Sequence, residues 1–167
     1  MTFLTDIKKG DSAEQSVATI LSEHWFVEQS SSLHKGSFTD WDLIAVDVDE
    51  VTDRPFFTVE VKYDEMQSST GNIAIEIHNS KSDKPSGLSA TKADLWCHVL
   101  KDSAWITSVK KLKEFCKEHK PLRKVGAAGD GNASILLYKT EDILTIFERI
   151  DGCHKEQLQS KISSLLK

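Results

Sequence analysis

The stretch DWDLIAVDVDEVTDRPFFTVEVKY, residues 40–63, decides the fold. It holds two apolar runs, 40–48 and 55–63, joined by the acidic turn DEVTDR. In FFTVEVK the residues alternate. Thr58, Glu60 and Lys62 therefore share one face of a strand, and Phe57, Val59 and Val61 share the other. Glu60 and Lys62 then stand about 7 Å apart along the strand. If the Asp42 run lies beside it, two carboxylates and an ammonium meet at one sheet edge. Asp42 and Glu60 offer hard oxygen donors of the kind Mg²⁺ or Mn²⁺ prefers. A divalent ion with a nearby cation suits hydrolysis of a phosphodiester. The bland alternative is an edge strand whose Glu60 and Lys62 are solvated gatekeepers.

Working outward, residues 11–24 predict a helix with Val17, Ile20 and Leu21 at helical spacing. Asp11 would cap it, and Glu14 would close a D-x-x-E capping box. WFVEQSS (25–31) reads as a short strand, and NIAIEIH (72–78) alternates as another. A polar loop at 79–90 carries Pro85 and Gly87 as breakers. TKADLWCHVL (91–100) predicts a helix with Leu95 and Val99 inward, and SAWITSV (103–109) a strand. VKKLKEFCKEHK (109–120) predicts an amphipathic helix, GAAGDGN (126–132) a glycine-rich turn, and ASILLYK a strand. EDILTIFERI (141–150) and KEQLQSKISSLLK (155–167) predict closing helices.

A chain of 167 residues suits one domain with a real core. No apolar run approaches a membrane span, and MTFLTDIKKG lacks a signal-peptide core. Cys97, Cys116 and Cys153 have neither framework nor zinc spacing, so reduced thiols in a cytoplasmic protein are expected. The net charge is −5, but it is unevenly spread. Residues 1–80 balance to −10 and residues 81–124 to +6. An acidic metal-binding half joined to a basic segment suits a metal-dependent nuclease. The helix at 109–120, taken alone, reads more simply as a solvated face.

Asp42, a gap of 17 residues, then Glu60-Val61-Lys62 resembles the signature of the PD-(D/E)XK nuclease superfamily. Trp41 stands where that signature has proline. The resemblance implies a restriction-endonuclease-like α/β fold: an αβββαβ core with a mixed central sheet flanked by helices. It maps to residues 11–107 if 72–78 is an inserted or extending strand, and 108–167 become a C-terminal extension of one nuclease domain. It implies that Asp42, Glu60 and the Val61 carbonyl hold Mg²⁺ or Mn²⁺, while Lys62 orients the attacking water or offsets charge. Asp40 is the rival of Asp42, but Asp42 directly precedes the apolar run, as the family ligand does.

Gly10, Glu14, Val17 and Leu21 further resemble the first-helix pattern of Holliday-junction resolvases in the superfamily, which implies a catalytic Glu14. SGLSATKADLW and Gly129-Asp130-Gly131-Asn132 are similar to segments of phage-type nucleases, which places the host cell among bacteria or phage-infected bacteria. Lys81, Lys84, Ser89 and Lys92 then become candidate DNA-phosphate contacts at a loop and helix N-terminus, against the alternative of an ordinary surface loop. Glu76 either supports the metal through a water or simply faces solvent. Leu158, Ile162, Leu165 and Leu166 form a stripe that docks on its own domain or serves a homodimer. The expected activity is Mg-dependent endonucleolytic cleavage of DNA. A restriction-type or single-strand nuclease, and a non-catalytic DNA-binding or assembly module, remain alternatives.

Overall fold

The structure, a computed structural model, describes residues 3–33, 40–48, 53–126 and 133–167. Helix α1 (Phe3–Leu21) leads to β1 (Phe26–Gln29), the short α2 (Ser30–Leu33), β2 (Leu43–Val46) and β3 (Phe56–Tyr63). Next come α3 (Gln67–Thr70), β4 (Asn72–Asn79), β5 (Lys84–Pro85), β6 (Leu95–Leu100), β7 (Ser103–Ser108) and α4 (Val109–Glu118). The chain closes with β8 (Arg123–Val125), β9 (Ala133–Lys139), α5 (Thr140–Ile143), β10 (Glu148–Arg149) and α6 (Lys155–Leu165). Most of the glycine-rich turn (127–132) and part of the acidic turn (49–52) lie outside the described residues.

The fold is mixed α/β. Its central sheet runs β1-β2-β3-β6-β7-β10, and a second sheet runs β5-β4-β9-β8. In the central sheet β3 and β6 are parallel and every other neighbouring pair is antiparallel. The alternation of β3 sends Phe57, Val59 and Val61 into a core with Val17 and Leu21 of α1 and Leu158 and Ile162 of α6. The other face of the central sheet carries Trp96, which packs with Ile73 and Ile75 of the second sheet and Leu112 and Phe115 of α4. Each such fully buried side chain contributes about 1.5–3 kcal/mol.

Four expectations need correction. Residues 91–100 do not form a helix: Leu95–Leu100 is the strand β6. It is buried on both faces, so its apolar run carries no period that separates strand from helix. A two-residue turn, Lys101-Asp102, then joins Leu100 to its partner Ser103. Helix α1 begins well before Asp11, so Asp11 and Glu14 form no capping box. Residues 141–150 do not stay helical. Ile143 and Phe147 enter one core and Ile150 the other, which forces the chain around the sheet edge through β10. The chain between β3 and the parallel β6 carries β4 and β5, two strands of the second sheet, with one short α-helix, not the helical crossover that the resemblance implied. The strand at 72–78 belongs to that second sheet.

The C-terminal segment is no appendage. β10 pairs with β7, and α6 buries Leu158 and Ile162 completely, with Leu165 and Leu166 packed against the same core. The stripe is satisfied within its own domain, which removes the reason for a dimer through it. Among the described residues no helix is long and apolar enough to cross a membrane.

Candidate active site

The site forms where one strand outruns its neighbour. β2 pairs with β3 only across Leu43–Val46, opposite Phe56–Val59. β3 continues through Glu60–Tyr63, and among the described residues its strand partner there is β6 alone. Asp42 stands one residue before β2. Its backbone N–H donates to the Val59 carbonyl at 3.0 Å, and its carboxylate Oδ2 accepts the Val61 N–H at 2.7 Å. A strand residue turns its N–H and C=O to the same side, so the Val61 carbonyl faces this open edge too. Helix α1 crosses here and carries Glu14 to the same edge, because Ala13, Val17 and Leu21 anchor its apolar face in the core. An open cleft of about 480 Å³ is lined by Gly10, Glu14, Asp42, Val61 and Lys62, with Lys9 and Glu65 at its wall. The Lys9 ammonium bonds both Glu65 oxygens at 2.6 Å and so ties α1 to the chain after β3.

Glu60 is buried at 6 % exposure. One of its oxygens pairs with the Lys62 ammonium at 2.5 Å, and the other accepts the Thr91 hydroxyl at 3.0 Å. Lys62 also lies over the Trp96 ring, 5.8 Å from its centroid. The electrostatics show how closely these groups are coupled. Burial pushes the Glu14 carboxyl up to about 7, assisted by the Asp42 and Asp11 charges. Burial and then the Glu60 charge push Asp42 up to about 6, against the pull of Lys62 and the Val61 amide. Burial alone would lower Lys62, but Glu60 and Asp42 outweigh it and hold the ammonium above its ordinary range.

A buried chain of polar groups runs behind Lys62. The Trp96 Nε1–H donates to His98 Nδ1 at 3.2 Å. An indole can only donate, so the His98 proton sits on Nε2. That nitrogen is buried and faces Asp64 Oδ2 at 3.6 Å, a little beyond hydrogen-bond distance. Burial works against the Asp64 charge, but His98 and the amides of Ala74 and Gln67 hold its carboxyl below the usual range.

Glu14, Asp42, Glu60, Val61 and Lys62 thus come together. Asp40, the rival of Asp42, pairs with Lys92 at 2.9 Å instead. Glu76 accepts the Ser86 hydroxyl at 2.6 Å and acts on Lys62 only through its charge. Gly87 permits this contact: at φ +49° its missing Cβ would stand 2.4 Å from the Glu76 carbonyl oxygen. The proposed phosphate contacts divide. Lys81 and Lys84 are exposed near the β4–β5 connection, Ser89 lies in a short 3₁₀ turn, and Lys92 lines another cleft. None precedes a helix N-terminus, because β6 replaces the expected helix. Sequence reading did not place Thr91, Asp64, Trp96 or His98 in the site. The alternation of W-C-H-V in a strand puts Trp96 and His98 on one face, a relation that the helix expected over 91–100 does not give.

Among the described residues no group of three or more His, Cys, Asp or Glu is arranged as a metal cage. Compared with family models, curated proteins and solved structures, the chain matches none.

Proposed function

We propose that the protein is a divalent-metal-dependent deoxyribonuclease that hydrolyses DNA phosphodiester bonds on a restriction-endonuclease-like core. One observation carries this reading: Glu14 of α1 and Asp42 before β2 come together with Glu60 and Lys62 of β3, on the stretch of β3 that β2 leaves open. The order of a helix, three antiparallel strands and a further strand parallel to the third supports the fold assignment. The strands β4 and β5 in the crossover are this chain's departure from that pattern.

The donor set fits Mg²⁺ or Mn²⁺. Asp42 and Glu60, close enough for their charges to act on each other, supply two carboxylates and Val61 a carbonyl, and Mg²⁺ characteristically takes one or two carboxylates and completes its shell with water and phosphate oxygens. The proton affinities of Glu14 and Asp42 are raised partly by neighbouring negative charge, which a divalent cation would offset. When bound, the ion would polarise the scissile phosphate and acidify a water.

The chain's own groups have separable roles. Lys62 stays protonated, so it serves as a charge partner for the phosphate and not as a base. The Trp96 face beneath it limits where the ammonium can sit. Glu14, titrating near 7, can take up or release a proton at working pH. Its place on the first helix favours a Holliday-junction-resolvase-like, structure-selective enzyme. The test is incubation with Mg²⁺ or Mn²⁺ on a four-way junction, a duplex, a single strand and RNA, beside a Glu60→Ala control. Cleavage of DNA by the parent protein alone supports the reading. No cleavage of any substrate, with no divalent-metal binding by calorimetry, overturns it in favour of a binding module.

A further inference from the structure

A second cleft, of about 550 Å³, opens at the other end of the same strands. Its walls carry Arg54, Lys92, Lys110, Lys113, Lys117 and Lys167 against two carboxylates, Asp94 and Glu114. The chain as a whole carries −5, so this concentration of cations runs against the protein's balance. Two of the cations are engaged: Arg54 pairs with Asp94 and Lys92 with Asp40, each at 2.9 Å. No ion pair among the described residues engages Lys110, Lys113 or Lys117.

Those three lysines stand at i, i+3 and i+7 on α4 and so share one face of it, while Leu112 and Phe115 anchor the opposite side in the core. Like charges at such spacing destabilise a helix. Their shared exposure to one cleft suits an anionic ligand. The N-terminus of α4, capped by the Ser108 hydroxyl on the Lys111 N–H, opens into the same cleft and adds partial positive charge.

We infer that this cleft binds the phosphate backbone of the DNA substrate beyond the scissile bond. The inference rests on the nuclease reading for the identity of its ligand. Two features favour a nucleic-acid strand over an acidic protein. Lys110 to Lys117 cover about 10 Å of helix axis, the length over which one strand of a duplex sets about three phosphates. The cleft is also joined to the site: Thr91 lines it and donates its hydroxyl to Glu60, and Asp94 N–H donates to the Thr58 carbonyl. Thr58 and Lys62 are four residues apart on β3, about 13 Å, so one backbone can reach both clefts.

The experiment is fluorescence anisotropy of a labelled duplex and a labelled junction across a salt series in EDTA, where no cleavage is read. The triple variant Lys110→Ala, Lys113→Ala, Lys117→Ala is compared with Lys120→Ala, Lys124→Ala, Lys155→Ala, which removes equal charge elsewhere. The slope of log K against log salt should shrink by about 2–3 in the first and by less than about 1 in the second. Lys117→Ala alone should remove about 1, which keeps the test valid should the triple variant melt early. Equal slopes in the parent and the α4 variants, equal losses in both triples, or no DNA binding by the parent at low salt overturn the inference. Polyglutamate that displaces the DNA at equal charge concentration also overturns it, because the ligand is then any polyanion. A protein that cuts DNA with an unchanged slope refutes the cleft alone. One that shows the slope change but never cuts refutes the nuclease reading alone.

Discussion

The acidic and basic clefts flank the same two strands, β3 and β6, yet hold charge in opposite ways. In the acidic cleft, ionisable groups from α1, β3 and the approach to β2 are drawn out of water, and each alters the proton affinity of the next. In the basic cleft the cations of α4 stand on one helix, with Lys110 and Lys117 exposed, and the core needs nothing from them. Solvated charge costs a fold little. Buried carboxylates that resist their own ionisation lower stability, so their presence points to chemistry. Under the proposed function, the contrast separates a cleft for chemistry from a cleft for binding.

The largest effect should come from the acidic side. Asp42→Asn or Glu60→Gln removes charge from the metal edge, worth several kcal/mol in the transition state, and cleavage should fall roughly 10²–10³-fold or more. Circular dichroism should show the fold intact. Asp40→Asn, which touches only the Lys92 pair, should be far milder. An inactive Asp40→Asn beside an active Asp42→Asn would reverse the ligand assignment.

Lys62→Ala should come next, with single-turnover cleavage slowed by about 10²-fold. DNA affinity should hold within a few-fold, because this ammonium acts on developing charge. The α4 variants should show the reverse split, with affinity lost and the chemical step retained. A Lys62→Ala protein that fails mainly in binding would merge the two clefts into one surface.

Stability against pH sharpens the same comparison. The folded-state proton affinities of Glu14 and Asp42 are raised, so folding takes up protons. Their penalty is absent only well below the ordinary values of 4.5 for Glu14 and 3.8 for Asp42, where both states are protonated. It grows as pH rises, and is complete above the folded values near 6 and 7. Glu14→Gln should therefore stabilise the metal-free protein at pH 8 by on the order of 1 kcal/mol, allowing for its half-exposed position. At pH 4 it should change little. Thermal melts in EDTA at both pH values decide this. A Glu14→Gln protein that melts lower at pH 8 would show that Glu14 supports the fold.

The smallest effect lies at Gly10, inside α1 and on the wall of the acidic cleft. Among the described residues, no atom outside the helix's own backbone lies within 4 Å of where its Cβ would stand. Gly10→Ala should therefore raise stability by about 0.5–1 kcal/mol through helix propensity. Denaturant titration reads it directly, and a loss would mean the helix needs a glycine there for a reason that space alone does not show.

Where sequence reading succeeded and where it failed follows from burial. β3 was legible because one face is apolar and the other carries Thr58, Glu60 and Lys62, which prints a period of two. α4 was legible because its cations and its Leu112 and Phe115 segregate at helical spacing. β6 was not, because a strand covered on both sides has no polar face to mark a period. That single misreading hid Trp96 and His98 from the site. The start of α1 was obscured by Gly10 and Asp11, which look like a helix boundary, although the helix runs through them. Glu14 was singled out by the resemblance of Gly10, Glu14, Val17 and Leu21 to a first-helix pattern, and that spacing does not depend on where the helix begins.

The contact between Asp42 and the Val61 N–H has a consequence for how the molecule behaves in a crowd. Past Val59, β3 loses its β2 partner, and a strand with unpaired donors along one side is a template on which another chain can assemble. Asp42 occupies the Val61 donor with a carboxylate that no incoming backbone can match without displacing a charge. The residue assigned to chemistry should therefore also guard the protein against its own copies. An Asp42→Ala chain should leave that donor open and show a lower threshold for self-association.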